Sequence, residues 1–209
     1  MYKFRTILQN YFTQDEIDKI SQTKILLIGC GGLGSNIANV LVRTGFSYFI
    51  LIDYDRVEIK NLNRQIFWQE QYGEKKVLAL KKNLLKINSS AQIKIIHKKI
   101  DKEDLKQIIL KESPDVIIEA VDDEMTKKFI FEITLKYGKK VVCASGIAGY
   151  GDCDNIKIRR GRNFVIVGDM KKSIKDYKPL APKVTAVAAI QADEVLRMVL
   201  DDVKEKKIK

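Results

Sequence analysis

The sequence predicts an α/β protein with a Rossmann-like, doubly wound and mostly parallel sheet. Short apolar runs alternate with helix-length amphipathic segments, a glycine-rich turn follows the first apolar run, and 45% of the 209 residues are hydrophobic, enough for one core. We therefore expect a single domain over residues 1–209, in which residues 1–150 form a nucleotide-binding βα part. Residues 151–209 are expected to add an antiparallel hairpin, a crossover loop and a final helix.

Each element is predicted from its local pattern. A capping box at Thr13–Glu16 predicts a short helix that ends near Gln22. Parallel strands are predicted at 24–28, 48–52, 92–97, 116–119 and 140–144, with helices at 35–44, 75–86, 102–110 and 124–137. In the last quarter, we expect a hairpin of 155–159 with 163–167, an exposed polar loop at 168–183 and a final helix at 185–200.

Composition argues against several classes of protein. No run approaches the roughly 18 apolar residues of a membrane span, and the first residues lack the apolar core of a signal peptide. Three dispersed cysteines, Cys30, Cys143 and Cys153, do not suggest a disulfide framework and favour a reducing, cytoplasmic location. The net charge of +11 comes from lysines scattered among acids, so we favour a solvated basic surface over a nucleic-acid footprint.

The segment GCGGLG, residues 29–34, predicts a nucleotide site. It lies between a predicted strand and a predicted helix, so Gly29, Gly31, Gly32 and Gly34 would let the backbone approach a phosphate at the helix N-terminus. Asp53 ends the second strand, where an acid accepts a hydrogen bond from a ribose hydroxyl. These features fit NAD and ATP equally well.

Residues farther along the chain favour ATP. Asn61, Arg64 and Gln65 follow the second strand, Lys76 opens the next helix, and an apolar strand delivers the pair Asp122-Asp123. Ligands of doubly wound sheets bind beyond the carboxyl ends of the strands, so these side chains would converge there. Cations that neutralise phosphates and a carboxylate that holds magnesium suit a triphosphate better than a nicotinamide.

The motifs GCGGLGS, DYDRVEIKNLNRQ, GEKK and IIEAVDD resemble those of the ThiF/MoeB/HesA family, bacterial relatives of ubiquitin-activating enzymes. The chain looks most like the short ThiF proteins without zinc cysteines. The resemblance implies ATP-dependent adenylation of the C-terminal glycine of a ubiquitin-like sulfur carrier protein, of the ThiS type used in thiamine biosynthesis, with release of pyrophosphate. The ATP-site residues it implies are Gly29, Gly31, Gly32 and Gly34 beside the phosphates, Asp53 on the ribose, Asn61, Arg64 and Lys76 around the triphosphate, and Asp122 at the Mg²⁺. Gln65 and Asp123, which adjoin these residues, are expected to belong to the same cofactor site.

The resemblance also implies a homodimer and the lack of a zinc site. Arg5 has the spacing of an arginine that reaches the ATP of the partner subunit, which implies a homodimer. The four zinc cysteines of many relatives are missing, so we expect no zinc. Residues 168–183 contain no cysteine for a thioester step, and we expect the reaction to stop at the acyl-adenylate. His97 is interpreted as structural.

Other functions remain open. A tRNA threonylcarbamoyl-adenosine dehydratase-type enzyme also activates a carboxylate with ATP, and the basic charge favours it. An NAD-binding oxidoreductase would need a hydride-transfer site, of which the sequence gives no sign. A non-catalytic nucleotide-binding scaffold would not need Arg64, Lys76 and Asp122 together.

Overall fold

The structure is a computed structural model that describes residues 4–207, with side chains through Asp201. Its strands are β1 (Lys24–Ile28), β2 (Tyr48–Ile52), β3 (Gln92–Ile96), β4 (Val116–Glu119), β5 (Lys140–Ala144), β6 (Lys157–Arg160) and β7 (Phe164–Gly168). Its helices are α1 (Phe4–Leu8), α2 (Gln14–Gln22), α3 (Gly32–Thr44), α4 (Lys76–Ile87), α5 (Lys102–Glu112), α6 (Glu124–Lys136) and α7 (Ala181–Lys207). None of these helices is long and apolar enough to cross a membrane.

The strands of the described residues form one sheet in the order β3-β2-β1-β4-β5-β7-β6. All neighbouring pairs are parallel except the hairpin of β6 and β7, which joins the sheet because β7 pairs in parallel with β5. The predicted fold class, a mostly parallel sheet with an antiparallel C-terminal portion and a final helix, is confirmed. β1 lies at the point where the strand order reverses, between β2 and β4.

Two helical layers cover the sheet, and successive β1 side chains alternate between them. Ile25 and Leu27 belong to the core cluster formed with α3, α4 and α7, whereas Leu26 and Ile28 belong to the cluster formed with α5 and α6. Because both faces are buried, parallel strands of this kind are continuously apolar. α7 packs against α3 through small and branched side chains, among them Val184, Val187, Ala188 and Ala192.

The final helix and the segment before it differ from the prediction. α7 begins at Ala181, four residues before the predicted start, and continues to Lys207, seven residues beyond the predicted end. The predicted exposed polar loop at 168–183 is confirmed only in its middle part. Residues 170–180 lie outside the helices and strands and are not buried, whereas Asp169 and Lys183 are buried. Charged side chains can be buried when they pair with each other, which a polarity pattern does not reveal.

Two further differences lie near the N-terminus. α1 was not predicted, and α3 begins at Gly32, inside the glycine segment, rather than at residue 35. Glycine is a poor helix former, so the low helix propensity of Gly32 and Gly34 led to a predicted start of α3 that is three residues too late. The capping box is confirmed, since Glu16 N donates to Thr13 Oγ1 and Thr13 N donates to Glu16 Oε2.

Candidate functional site

A cleft of about 700 Å³ opens at the carboxyl ends of β1, β2, β4 and β5. The parallel register aligns Ile28 with Ile52 and with Glu119, so the segments that follow β1, β2 and β4 leave the sheet side by side. This is the position where doubly wound folds bind ligands. The predicted site residues that line the cleft are Gly29, Gly31, Gly32, Asp53, Asn61, Arg64, Gln65, Lys76, Asp122 and Asp123.

The glycine turn connects β1 to α3 under tight steric limits. Gly29 has a φ of +95°, and a Cβ there would lie 2.5 Å from the Ala120 carbonyl oxygen at the end of β4. A Cβ on Gly34 would lie 1.9 Å from the Gly29 carbonyl oxygen. These glycines let β1, β4 and the first turn of α3 meet, while Gly34 itself lies behind the cleft surface.

Two polar residues of α3 that were not predicted as site residues attach the glycine turn to the segment after β2. The Ser35 hydroxyl donates to Gly31 O at 2.6 Å and accepts from Ile66 N at 3.1 Å. Asn36 Nδ2 donates to Gly32 O at 2.6 Å and to Arg64 O at 2.9 Å. Their signal in the sequence was two adjacent polar residues in the first turns of a helix whose middle is mostly apolar.

Asn61 and Gln65 are buried beside this junction. Asn61 Oδ1 accepts from Glu58 N at 3.3 Å, and Asn61 O accepts from the backbone N–H groups of Arg64 and Gln65. Gln65 Oε1 is buried and has no hydrogen-bond partner among the described residues. A buried acceptor without a partner is costly, so this atom indicates a place for a donor that binds from outside the chain.

Asp53 and Lys76 are held by groups at the same strand end. Asp53 Oδ2 accepts from Cys30 N at 2.6 Å and its Oδ1 accepts from Asp55 N at 2.7 Å, which leaves a second lone pair on each oxygen. The buried Lys76 donates from Nζ to Asp55 Oδ2 at 2.7 Å, and Asp55 was not among the predicted site residues. The two acids of the DYD segment therefore hold the glycine turn and Lys76.

Arg64 and Asp122 present charges that the described residues do not neutralise. The Arg64 guanidinium donates to Asn63 Oδ1 at 2.7 Å and to Lys60 O at 3.3 Å, neither of which is charged. Asp122 is exposed on the cleft and forms no ion pair or hydrogen bond with the described side chains. An anion beside Arg64 and a cation beside Asp122 would each find an available charge.

The neighbouring Asp123 has a structural task. Its Oδ2 accepts from Thr126 N at 2.7 Å and caps the N-terminus of α6. Hydrogen bonding with the Thr126 side chain, followed by this bond to Thr126 N, lowers the pKa of Asp123 below its usual range. The two adjacent acids therefore differ in availability, and Asp122 is the freer ligand.

A second pair that was not predicted supports the end of β4. Glu119 is almost fully buried, and its Oε1 accepts from Val121 N at 2.9 Å and from Lys127 Nζ at 2.8 Å. Lys127 also lines the cleft. The contacts fix the backbone from which Asp122 projects.

Four residues considered in the sequence lie outside the cleft lining: Arg5, His97, Cys30 and Cys143. Arg5 in α1 pairs with Asp18 of its own chain on the surface. His97 Nδ1 lies 3.2 Å from Asp53 O, which is consistent with the structural interpretation. Burial, with a further contribution from the Asp53 charge, raises the pKa of Cys30 well above its usual range, and burial likewise raises that of Cys143.

Basic residues are concentrated on the surface of the cleft, although the sequence pattern predicted lysines scattered over the whole surface. The basic residues on its surface are Lys60, Arg64, Lys76, Lys98, Lys99, Lys127, Lys171, Lys172 and Lys175. The acidic ones are Asp53, Asp55, Glu58, Asp122, Asp123 and Glu124, so positive charges exceed negative charges by nine to six. Such a surface raises the local concentration of anions.

The segments after β5 and β7 form the other wall of the cleft, and a buried ammonium connects them. Lys183 Nζ lies 2.6 Å from Asp169 Oδ2 and 3.0 Å from both oxygens of Asp152. Burial would lower the pKa of Lys183, but the hydrogen bonds and charges of the two carboxylates outweigh it and raise this pKa. Burial would raise the pKa of Asp169, but its hydrogen bonds, of which that from Lys183 contributes most, outweigh burial and lower this pKa.

The available groups suit a nucleoside triphosphate. The turn at Gly31 and Gly32 opens α3, whose N-terminus attracts phosphate, and the nearest atom to a Cβ on Gly31 would be Gln65 Nε2 at 3.7 Å, which leaves space beside the turn. No group of three or more His, Cys, Asp or Glu side chains placed to hold a metal occurs within residues 4–207. Magnesium fits this chemistry, because it needs one or two carboxylates when phosphates and water complete its shell.

Sequence comparisons match the chain to the ThiF family over residues 4–209. It is 32% identical over 151 residues to the adenylyltransferase and sulfurtransferase MOCS3 of Xenopus laevis, which covers 72% of this chain and 33% of that protein. It is 30% identical over 182 residues to SUMO-activating enzyme subunit 2 of Dictyostelium discoideum, covering 86% of this chain and 26% of that protein. The chain thus spans about a third or less of the length of these relatives.

Solved structures share the fold. E. coli tRNA N6-threonylcarbamoyladenosine dehydratase, TcdA, in complex with AMP has a TM-score of 0.87 at 16% identity, covering 96% of this chain and 95% of that one. E. coli MccB with AMPCPP and selenomethionine MccA has a TM-score of 0.71 at 25% identity, covering 92% of this chain and 61% of that one. At 16% identity, the likeness to TcdA concerns the fold alone.

Proposed function

The chain belongs to the ThiF family of ubiquitin-activating-like adenylyltransferases, and from that premise we propose that it adenylates a substrate carboxylate with ATP and releases pyrophosphate. The observation that carries the proposal is the convergence of the glycine turn, Asp53, Arg64, Lys76 and Asp122 around one cleft. The unpartnered Gln65 Oε1 beside the turn supports the same location.

The proposed chemistry needs charge neutralisation rather than a general base. A C-terminal carboxylate is ionised at neutral pH, so it can attack the α-phosphate without losing a proton. The N-terminus of α3, Arg64 and Lys76 would orient the phosphates and offset the charge that develops on pyrophosphate. Asp122 would hold Mg²⁺, which supplies further charge neutralisation when it is bound.

Lys76 is suited to this task by its surroundings. Its ammonium is buried and already oriented by Asp55, while two of its three N–H donors remain for phosphate oxygens. Asp53 would receive the ribose hydroxyl on its remaining lone pairs. A preorganised cation costs little reorganisation when the charge moves to the leaving group.

For the substrate, we propose the C-terminal glycine of a ubiquitin-like sulfur carrier of the ThiS type, which would place the chain in thiamine biosynthesis. The motifs shared with short ThiF proteins support this choice, as does the similarity to a MOCS3 adenylyltransferase and a SUMO-activating enzyme subunit. Molybdopterin-type and other carriers have the same terminal chemistry and serve as comparison substrates.

A tRNA threonylcarbamoyl-adenosine dehydratase-type activity is the second candidate. The observation in its favour is the excess of basic residues on the cleft, since phosphate contacts dominate the affinity of proteins for nucleic acids. Both candidates activate a carboxylate with ATP, so a single assay format distinguishes them.

The test is ATP–pyrophosphate exchange with Mg²⁺ and one carboxylate substrate at a time. We expect exchange with a carrier that ends in a free glycine and none with the same carrier ending in a glycine amide. AMP release that depends on threonylcarbamoylated tRNA, without carrier-dependent exchange, would select the second candidate. Reduction of NAD without any exchange would contradict both.

A further inference from the structure

Lys183 is a fully buried lysine that the proposed adenylation chemistry does not use. It lies in the first turn of α7, and its ammonium contacts one carboxylate from the segment after β5, Asp152, and one from the segment after β7, Asp169. One buried charge therefore joins three separate parts of the chain. A buried ion pair of this kind is weak evidence for stability alone, which leaves room for a task in specifying the local arrangement.

The Asp169 carboxylate also contacts the backbone of the cleft wall. Its Oδ1 accepts from Lys171 N at 2.7 Å and from Lys172 N at 2.8 Å, while Oδ2 faces Lys183. The intervening Met170 has a φ of +63°, an uncommon value for a residue other than glycine. The backbone of 169–172 is therefore held in a strained turn by side-chain contacts rather than by regular secondary structure.

The same turn is attached to the segment after β5. Asp169 N donates to Gly146 O, and Met170 N donates to Ser145 O, each at 3.0 Å. A Cβ on Gly146 would lie 1.9 Å from Asp169 Oδ1, so the two segments approach more closely than a side chain permits. Ser145, Gly146, Met170 and Lys172 all line the cleft.

From this chain of contacts we infer that Lys183 is a positioning residue that fixes the cleft wall of residues 169–172 for the carboxylate substrate. The inference rests on the proposed adenylation. The residues assigned to ATP and Mg²⁺ belong to the glycine turn and to the segments after β2 and β4, so the wall after β5 and β7 remains for the second substrate. Loss of the ammonium leaves the buried Asp169 carboxylate without its cation, while the partly exposed Asp152 keeps Lys172 Nζ at 2.8 Å. The contact that holds Asp152 and Asp169 together at the start of α7 is then lost, and the uncompensated charge on Asp169 favours separation of the segments.

The test compares Lys183→Met with Glu194→Gln. Glu194 is equally buried on the same helix and pairs with Arg160 and Arg197, but it does not line the cleft. In Lys183→Met, we expect faster hydrogen exchange at the Lys171 and Lys172 amides and a KM for the carboxylate substrate raised about fivefold or more, with kcat and ATP affinity within about twofold. Glu194→Gln should match the wild type in all of these, whatever its melting temperature.

Unchanged amide exchange in Lys183→Met, or an equal effect of Glu194→Gln, would overturn the inference, as would equal losses in KM, kcat and ATP affinity. If Lys183→Met does not fold, Lys183→Met combined with Asp152→Asn and Asp169→Asn also removes the negative charges that the ammonium compensates. Slow exchange at Lys171 and Lys172 in this triple variant would show that the ammonium serves only to neutralise the two acids, which contradicts positioning. A wild-type protein without pyrophosphate exchange for any carboxylate contradicts the proposed function alone, because hydrogen exchange at the Lys171 and Lys172 amides still tests whether Lys183 fixes residues 169–172.

Discussion

Lys76 combines burial with a single carboxylate contact among the described residues, to Asp55. We predict that Lys76→Met lowers pyrophosphate exchange by about 100-fold or more, because an oriented charge on the leaving group is lost. Lys82→Met is the matched control, since Lys82 lies on the same helix and pairs with Glu74 on the surface. Exchange rates that fall equally in both variants would remove Lys76 from the site.

The adjacent acids after β4 should separate metal binding from helix capping. We predict that Asp122→Asn raises the Mg²⁺ concentration needed for half-maximal exchange by about tenfold without changing the melting temperature. Asp123→Ala, by contrast, removes the cap of α6 and should lower the melting temperature by about 2–4 °C while leaving the Mg²⁺ dependence unchanged. Magnesium titrations and thermal melts of both variants test this, and a reversed pattern would exchange the two roles.

At the scale of residues, those that belong to a short motif could be predicted from the sequence, whereas those whose partners are distant along the chain could not. Asp55 could have been found, because it lies two residues from Asp53 at the same strand end. Lys183 could not, because its partners lie 31 and 14 residues away and each acid alone resembles a solvated surface charge. Pairing makes such groups tolerable in a core, and pairing is a property of the fold.

At the scale of elements, the glycine turn and α3 act as one phosphate-binding unit. Gly31 precedes α3 with a φ of −83°, and a Cβ there meets no atom closer than 3.7 Å, so the added methyl group of alanine clashes with no neighbouring residue. We predict that Gly31→Ala keeps the wild-type melting temperature within about 2 °C but weakens ATP binding about tenfold or more, because the methyl group occupies space beside the turn. Thermal melts and ATP titration measure the two effects.

Gly34→Ala is the contrasting variant for this prediction. Its Cβ would lie 1.9 Å from Gly29 O, so the turn and the helix cannot keep their contact, and we expect a lower melting temperature together with weaker ATP binding. A Gly31→Ala protein that binds ATP like the wild type would place the phosphates elsewhere in the cleft.

The elements also show where sequence patterns suffice. β1, β2, β4 and β5 have the predicted bounds, because buried parallel strands are short apolar runs ended by polar residues. α3 and α7 begin earlier than predicted, at Gly32 and Ala181, because glycine and proline near a helix start suggest a loop. Contacts with the rest of the chain, which Ser35 and Val184 make, decide those boundaries.

At the scale of the whole molecule, the apolar side of α7 is covered by its own chain. Val187, Ala188, Ala192 and Val195 are buried against the core, so these side chains are not free for a partner subunit. The homodimer therefore stays a prediction that would use other surfaces. Arg5 is the residue through which the prediction can be tested, because it lies on the surface and outside the cleft of its own chain.

We predict that Arg5 acts on the ATP of the partner subunit. Arg5→Ala and Arg64→Ala should each lower pyrophosphate exchange, because each removes a positive charge near the leaving group. A heterodimer of the two variants contains one site with both arginines intact, so it should regain about half of the wild-type activity per dimer. Asp18→Asn, which removes the surface partner of Arg5, is the control and should remain fully active.

The measurement requires subunit exchange between two differently tagged variants, followed by purification of the heterodimer and the exchange assay. Recovery in the heterodimer follows only if Arg5 crosses to the other subunit, because each chain by itself lacks one arginine. An inactive heterodimer would mean that Arg5 acts within its own chain or outside the reaction. A wild-type protein that remains monomeric at assay concentrations and is fully active would exclude catalysis in trans altogether.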